Sequence, residues 1–479
     1  MRIFLTLYQK LSGVLLLLAA CIPLVVLRWQ NYSIVLLVAG IGGAISWFIY
    51  ANQKEHVLFQ AMAFLIPFSF EIEIFSGTKV LLPGEPLIAL GMGVFLIRFV
   101  TRDLSKVSLT FLDGLLLFFM GWLTLTSIFS EMPKVSFKYT IVFLSYILVF
   151  YFLLKETLKK GTFIKLVDAY LFGLVCISIY SIYNSYGFGF IPAASRMISK
   201  PFFNDHTIMG AALGFGVFWS LGRLFFSIKD KAPKLTVVAF LIAFFILVVN
   251  LYLGYSRAAW FSVLLAALLL IVYSMKIKPV YVYAALVVFV GAIAINFTHL
   301  SDAFLTNSAD SGRRNSDILE QTQSITNIQS DVSNVERINR WKSAWRMQEL
   351  KPFVGFGPGT YQFTYVPFQD ERDMTRISTI NPYWVKEMHG GTAHSEPLLL
   401  LAETGWLGAV FWLILCAWFF IQLFGFLREP LGFHHFAVLG VFTFLLHALV
   451  NNFLNSASIA FLFWGSLAYL SHFRKQLPA

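Results

Sequence analysis

Charge is what this chain has least of. Only 13% of its 479 residues are Asp, Glu, Lys or Arg, while 58% are hydrophobic and the mean hydropathy is +0.72. No soluble domain needs that much apolar surface, so the sequence reads as an integral membrane protein. The ten-residue alternations that mark barrel strands are missing too. The apolar runs are continuous and about 17–25 residues long, so the spans are helical. Cysteine is equally scarce. Cys21, Cys176 and Cys416 each lie inside an apolar run, with no partner spacing and no Cys/His cluster, so neither a disulfide framework nor a metal site is indicated.

Candidate spans fall at roughly 11–28, 33–50, 57–72, 81–100, 111–130, 137–154, 163–185, 207–227, 234–253, 257–275 and 279–298, and after a polar segment at 406–426, 432–452 and 454–470. The run ending Leu18-Ala19-Ala20-Cys21 looks like a bacterial lipoprotein processing site. The residues after Cys21 stay apolar, however, so an uncleaved first transmembrane helix is the reading. The expected fold is all-α: a polytopic helical bundle of about 12–14 transmembrane helices. It divides into an N-terminal bundle (1–298), one large loop carrying short helices (299–405) and C-terminal transmembrane helices (406–479).

Cations set the expected orientation. One set of short connections holds Arg2, Lys54, Arg98, Lys155, Arg223, Lys276, Arg428 and Arg474 among others. The opposite set holds only Arg28, Lys79, Lys134, Lys138, Arg196, Lys200 and Arg257. Both termini are therefore expected in the cytoplasm, and the loop 299–405 faces outward. The net charge of +11 is largely this cytoplasmic excess. It makes membrane lipids the surroundings, and nothing in the sequence calls for nucleic acid.

The outward segment has two parts. Residues 301–334 are rich in Ser, Asp, Asn and Gln and predict a mobile or weakly helical stretch. Residues 335–350 (VERINRWKSAWRMQEL) carry Ile338, Trp341 and Trp345 at helical spacing and predict an amphipathic helix. The turn-rich stretch from Pro352 to Gly359 (PFVGFGPG) stops it. An aromatic and charged region follows, and then His394-Ser395-Glu396-Pro397 opens the run LLLLAETGWLG.

Each polar residue on this side has a plain reading and a chemical one. Arg257, in Gly254-Tyr255-Ser256-Arg257, is either an interface anchor or a guanidinium suited to bidentate phosphate binding. Arg337 and Arg340 form a solvated helix face or, beside Trp341, a binding surface for a polyprenyl diphosphate head group. His394 is a polar residue at a helix start or a base able to accept a hydroxyl proton. Glu396 and Glu403 could orient the imidazole or cap the helix. Asn204, Asp205 and His206 precede another apolar run, with Asp205 and His206 as N-cap candidates that could also line the same cleft.

Together these pieces resemble the O-antigen ligase family, whose wider group includes some O-antigen polymerases and bacterial O-oligosaccharyltransferases. The resemblance runs from about residue 190 to 470. Its motifs are Phe203-Asn204-Asp205-His206 with Gly210, Ser256-Arg257 before an apolar run, Arg337 four residues before Trp341, Pro352 with Val354-Gly355-Phe356-Gly357-Pro358-Gly359, and His394 with Glu403-Thr404-Gly405 and Leu407-Gly408. Two features depart from the pattern. Ser395 stands where an Asn often follows the histidine, and the N-terminal part holds about two spans beyond the usual twelve.

The resemblance implies a GT-C-like membrane glycosyltransferase of the bacterial inner membrane, with its active site facing the periplasm. The donor would be an undecaprenyl diphosphate-linked glycan and the acceptor lipid A-core in lipopolysaccharide biosynthesis. Arg257 and Arg337 would hold the diphosphate, and His394 would lie against the acceptor hydroxyl. Arg340, Trp341, Asn204, His206, Ser395, Glu403 and Gly405 would support them. Transfer would invert the anomeric configuration without cofactor or metal, the arginines standing in for a cation; the loop holds no Asp-x-Asp pair. The same chemistry would also serve a polysaccharide polymerase or a protein O-oligosaccharyltransferase. A transporter of lipid-linked glycans would instead need charged residues at mid-membrane on broken helices, and Glu71, Glu73, Glu85, Asp113 and Asp168 mostly fall near span ends.

Overall fold

The computed structural model describes residues 32–75, 78–101, 109–158, 161–276, 281, 332–375, 378, 391–426 and 428–474. The spans expected at 11–28 and 279–298, Cys21, and nearly all of 301–334 lie outside the described residues.

The protein is a polytopic, mostly helical membrane protein. An apolar environment leaves no water for backbone groups, so runs of Leu, Phe and Val close their hydrogen bonds within the helix. Among the described residues, eight helices are long and apolar enough to cross a membrane. They are α3 (Gly84–Thr101), α4 (Phe111–Ile128), α5 (Pro133–Thr157), α6 (Thr162–Gly187), α7 (His206–Lys229), α8 (Lys234–Leu253), α9 (Arg257–Ser274) and α11 (Glu396–Phe426). The others are α1 (Tyr32–Ala51), α2 (Glu55–Leu65), α10 (Val332–Leu350), α12 (Phe433–Ala448) and α13 (Ala457–Arg474).

The span expected at 81–100 is present as α3, whereas the one expected at 57–72 is corrected: its helix, α2, ends at Leu65. Between α2 and α3 the chain forms an antiparallel hairpin, β1 (Phe70–Phe75) and β2 (Thr78–Leu82), pairing Phe70 with Leu82 and Glu73 with Lys79. Glu71 and Glu73 alternate with Ile72 and Ile74, a period of two that suits a strand. The span expected at 406–426 follows a break at Gly405 and is preceded by a further helical stretch from Glu396.

The chain folds as two compact units: residues 1–110, 144–173 and 464–479, and residues 111–143 and 174–463. In the first, Gly91 brings α3 so close to α5 that an added Cβ would meet Val149 at 2.8 Å. Buried Glu55 of α2 accepts from Arg98 Nη2 of α3 at 2.6 Å.

In the second unit α7 is the enclosed helix, with 72% of its apolar window buried against 22% for α8 and for α9. Lipid tails are as apolar as leucine, so close packing of small residues holds such helices together. Gly210 faces Ser256 and Ala259 of α9, Gly214 faces Thr443 of α12, and Gly222 receives the Phe436 ring of α12. In return Gly440 of α12 receives the Phe215 ring of α7. The rings of Phe119 (α4) and Phe411 (α11) stack at 3.7 Å.

Gly222→Ala would put a Cβ 2.4 Å from the Phe436 ring. It is expected to destabilise the protein by about 1–3 kcal/mol, read as a lower thermal midpoint in detergent. Gly121→Ala, which meets nothing within 4 Å, is expected to leave the midpoint in place.

Candidate active site

The site is built by α10, the turn-rich loop behind it, and the break in α11. The amphipathic helix forms as expected, but its buried face differs. Ile338 and Trp341 are half-buried and Trp345 is 46% exposed, its ring edge-on to that of Trp406 at 5.9 Å. The side turned inward carries Glu336, Asn339, Arg340, Ser343, Ala344, Met347 and Gln348. Polar residues face inward because each finds a partner there. Arg340 Nε donates to Glu336 Oε1 at 2.9 Å, and Asn339 Oδ1 accepts from the Asp370 N–H at 2.7 Å. Arg346 donates to Asp370 Oδ2 at 2.9 Å and to the Phe368 carbonyl at 2.8 Å. Contacts with Arg372 and Arg346 hold the Asp370 carboxyl below the usual carboxylate range, against its burial.

The loop is bound to α11 through backbone hydrogen bonds. The Phe356 N–H donates to the Ala402 carbonyl at 3.0 Å, the Gly357 N–H to Glu403 at 2.8 Å, and the Trp406 N–H to Pro352 at 3.0 Å. Those carbonyls are accessible because α11 breaks at Gly405, whose φ of 70° and ψ of −167° are glycine geometry. An added Cβ on Gly405 would sit 2.1 Å from the Phe353 carbonyl oxygen, and one on Gly355 would sit 2.4 Å from the Glu403 backbone. The buried Glu403 carboxyl accepts from the N–H groups of Gly359 at 2.8 Å and Tyr361 at 2.9 Å. Its observed contacts therefore close the loop rather than orient the imidazole.

This frame fixes the approach to His394. Arg340 Nη1 donates to the Thr392 carbonyl at 3.1 Å, and Trp341 Nε1 donates to the His394 carbonyl at 3.2 Å. His394 has φ of 51°, a left-handed conformation that persists when neighbours over-determine it. The Ser395 N–H then donates to Asn452 Oδ1 at 3.1 Å. Glu396 Oε1 accepts from the N–H groups of Phe453 at 2.6 Å and Leu454 at 2.9 Å. The connection between α12 and α13 is thus fastened to the start of α11.

The imidazole sits in a charged neighbourhood. Burial and the positive charges of Arg340 and Arg337 push the His394 pKa down to about 3, while Asp205 and Asn451 pull the other way. Its ring is neutral at pH 7. Asp205 caps α7, accepting from the Thr207 N–H at 2.7 Å, with His206 Nδ1 at 3.1 Å. Burial raises the Asp205 carboxyl, but contacts with His206 and Thr207 more than offset it and leave it lowered. Arg337, His394, Asp205 and His206 therefore gather at one end of α7 and α12, with Asn204 exposed beside them. Arg257 opens α9 at the same end of α7, since its neighbour Ser256 packs on Gly210.

Sequence reasoning missed His447, Asn451 and Asn452. His447 lies within electrostatic reach of Arg337, Asp205 and His206, and Asn451 acts on His394. The available signal was the polar group His447-Ala448-Leu449-Val450-Asn451-Asn452 at the end of an apolar run.

Removing the Glu403 carboxyl leaves two buried N–H donors without an acceptor. Glu403→Ala is expected to destabilise by roughly 2–6 kcal/mol and to make residues 352–361 more sensitive to protease. Glu403→Gln, which keeps an acceptor oxygen, is expected to fall between it and the parent protein in both measurements.

No curated protein matches the chain. Residues 242–413, from within α8 through the break in α11, match the family model described as O-antigen ligase. Over that stretch the chain is similar to the O-antigen ligase family.

Proposed function

We propose that the protein transfers a glycan from undecaprenyl diphosphate to an acceptor hydroxyl, with lipid A-core as the acceptor, on the periplasmic side of the bacterial inner membrane. The observation that carries this reading is the juxtaposition of a buried, neutral His394 with the guanidinium groups of Arg337 and Arg340. The acceptor oxygen attacks the anomeric carbon, the bond from that carbon to the diphosphate oxygen breaks, and the hydroxyl proton passes to His394. Attack from the face opposite the leaving group inverts the configuration.

Negative charge grows on the departing diphosphate. Arg257 and Arg337 are the residues assigned to it, because fixed positive groups aimed at developing charge lower a barrier strongly. Arg340 has a different task. Its Nε is occupied by Glu336 and its Nη1 by the Thr392 carbonyl, so it positions the strand leading to His394. The cations that depress His394 are also those that a bound diphosphate would offset. Donor binding therefore raises the basicity of the imidazole at the moment a base is needed.

The test is the purified protein with undecaprenyl diphosphate-linked glycan and lipid A-core. Release of undecaprenyl diphosphate together with glycosylated acceptor is expected; glycan movement without bond cleavage would overturn the reading. In the same assay His394→Ala is expected to lose at least about 100-fold in turnover. Arg257→Lys and Arg337→Lys are expected to recover only part of what Ala removes, because a point charge lacks the bidentate fork.

The pH dependence has a stated sign. Lowering the His394 pKa keeps the free enzyme's ring deprotonated, so the acid limb of kcat/KM that belongs to it lies well below the 6.5 of an ordinary imidazole. With donor bound, the offset cations move the acid limb of kcat upward. Equal acid limbs in the two profiles would show that the diphosphate does not act on His394.

A further inference from the structure

Beside His394 lies a group of polar side chains to which the reading above gives no contact with substrate. His447, near the end of α12, is 1% exposed, and Asn451, in the connection to α13, is 2% exposed. Among the described residues, neither ring nitrogen of His447 has a hydrogen-bond partner, and neither does the side-chain nitrogen of Asn451, while the Asn452 side chain also lies against the Glu396 carboxyl. Buried polar groups are almost always paired, and unpaired ones call for an explanation, of which a bound ligand is one.

The orientation of this group is not free. Asn452 Oδ1 is held by the Ser395 N–H at 3.1 Å, and its side chain also lies against the Glu396 carboxyl. The His447 ring lies 4.7 Å from that of Phe453, edge to face. Phe453 is in turn fixed by its N–H to Glu396. These are prearranged donors and acceptors, not side chains that can turn away to find partners.

Their chemistry differs from that of the arginines. Two carboxamides and an imidazole offer neutral donors and acceptors, a match for sugar hydroxyls and amide groups, which also donate and accept. Their placement differs as well. His447 is electrostatically linked to Arg337, and Asn451 to His394. In the transfer reaction the anomeric carbon stands between the diphosphate and the acceptor oxygen. The sugar that carries it must then lie beside both the diphosphate-binding guanidinium and the base.

We propose that His447, Asn451 and Asn452 form a recognition subsite for the donor's first sugar, the one bonded to the diphosphate. This rests on the glycosyltransferase reading above. The three side chains hydrogen-bond that sugar's hydroxyl or amide groups and thereby set the anomeric carbon between Arg337 and His394. Recognition at this subsite concerns the donor's reducing-end residue and is indifferent to the rest of the glycan.

The experiment compares the binding of two probes to the detergent-solubilised full chain: undecaprenyl diphosphate alone, and undecaprenyl diphosphate carrying one N-acetylhexosamine. The parent protein is expected to bind the sugar-bearing probe about tenfold more tightly, the size of one or two net hydrogen bonds. Asn451→Leu, Asn452→Leu and His447→Leu are each expected to keep affinity for the bare carrier and lose most of that preference. Asn451→Ser and His447→Gln, which keep a neutral polar group, serve where a leucine variant fails to fold, and are expected to weaken the preference in part.

If the variants keep the full preference, or if the parent protein shows none, the subsite proposal is overturned. If they lose both probes equally while remaining folded, the group binds diphosphate instead, and the proposal also fails. Absence of binding to the bare carrier by the parent protein would instead remove the glycosyltransferase reading itself.

Discussion

The backbone exchange between the glycine-rich loop and the break in α11 is the constraint on which the site depends. A helix cannot be broken in an apolar environment unless the freed groups find partners. Here the loop supplies them: Phe356 and Gly357 donate to the carbonyls of Ala402 and Glu403, and the Trp406 N–H returns to Pro352. The same exchange holds α10 against α11, because the loop leaves the end of α10 at Leu350 and Lys351. Beneath it Met347, Phe356, Tyr361, Tyr365 and Ala402 form one apolar cluster. On this frame the hydrogen bonds of Arg340 to Thr392 and of Trp341 to the His394 carbonyl fix His394 against α10.

A second consequence concerns charge. Three cationic or titratable groups close together in a buried place would ordinarily repel. The protein resolves this by pairing Arg340 with buried Glu336 on the preceding turn, by leaving His394 neutral, and by placing Asp205 within reach of His394 and His447. Arg337 then contributes positive charge that, in the proposed reaction, would meet the dianionic diphosphate. Burial strengthens that attraction, since low-dielectric surroundings screen charge less than water does.

The sequence carried the membrane class, most of the helices and the residues at the break, because apolar runs, glycines with proline and isolated polar residues are local signals. Three things were not legible. The hairpin between α2 and α3 was not anticipated: the span expected at 57–72 ran into its first strand and 73–80 was left as a connection, although Glu71 and Glu73 give the alternation. The inward face of α10 was assigned to Ile338, Trp341 and Trp345 by apolarity, whereas the fold turns Glu336, Asn339 and Arg340 inward. That choice depends on Thr392, Asp370 and Tyr361, partners remote in the chain, which periodicity does not register. The role of Glu403 was open for the same reason: the N–H groups that its carboxyl accepts belong to Gly359 and Tyr361, more than forty residues away.

The cluster around His447 follows a related logic. A polar residue at the end of an apolar run normally marks where a helix meets water, and Asn451 and Asn452 invite that reading. Burial reverses it, because both Asn451 and His447 are enclosed, and an enclosed amide or imidazole without a partner is destabilising. Filling the space with apolar side chains would remove that penalty, as the rings of Phe436 and Phe215 do elsewhere along α12. That the polar groups stand instead next to Arg337, Asp205 and His394 means the penalty falls where a polar ligand would relieve it. A site whose unpaired groups are satisfied only by substrate binds that substrate and discriminates against one lacking the matching groups.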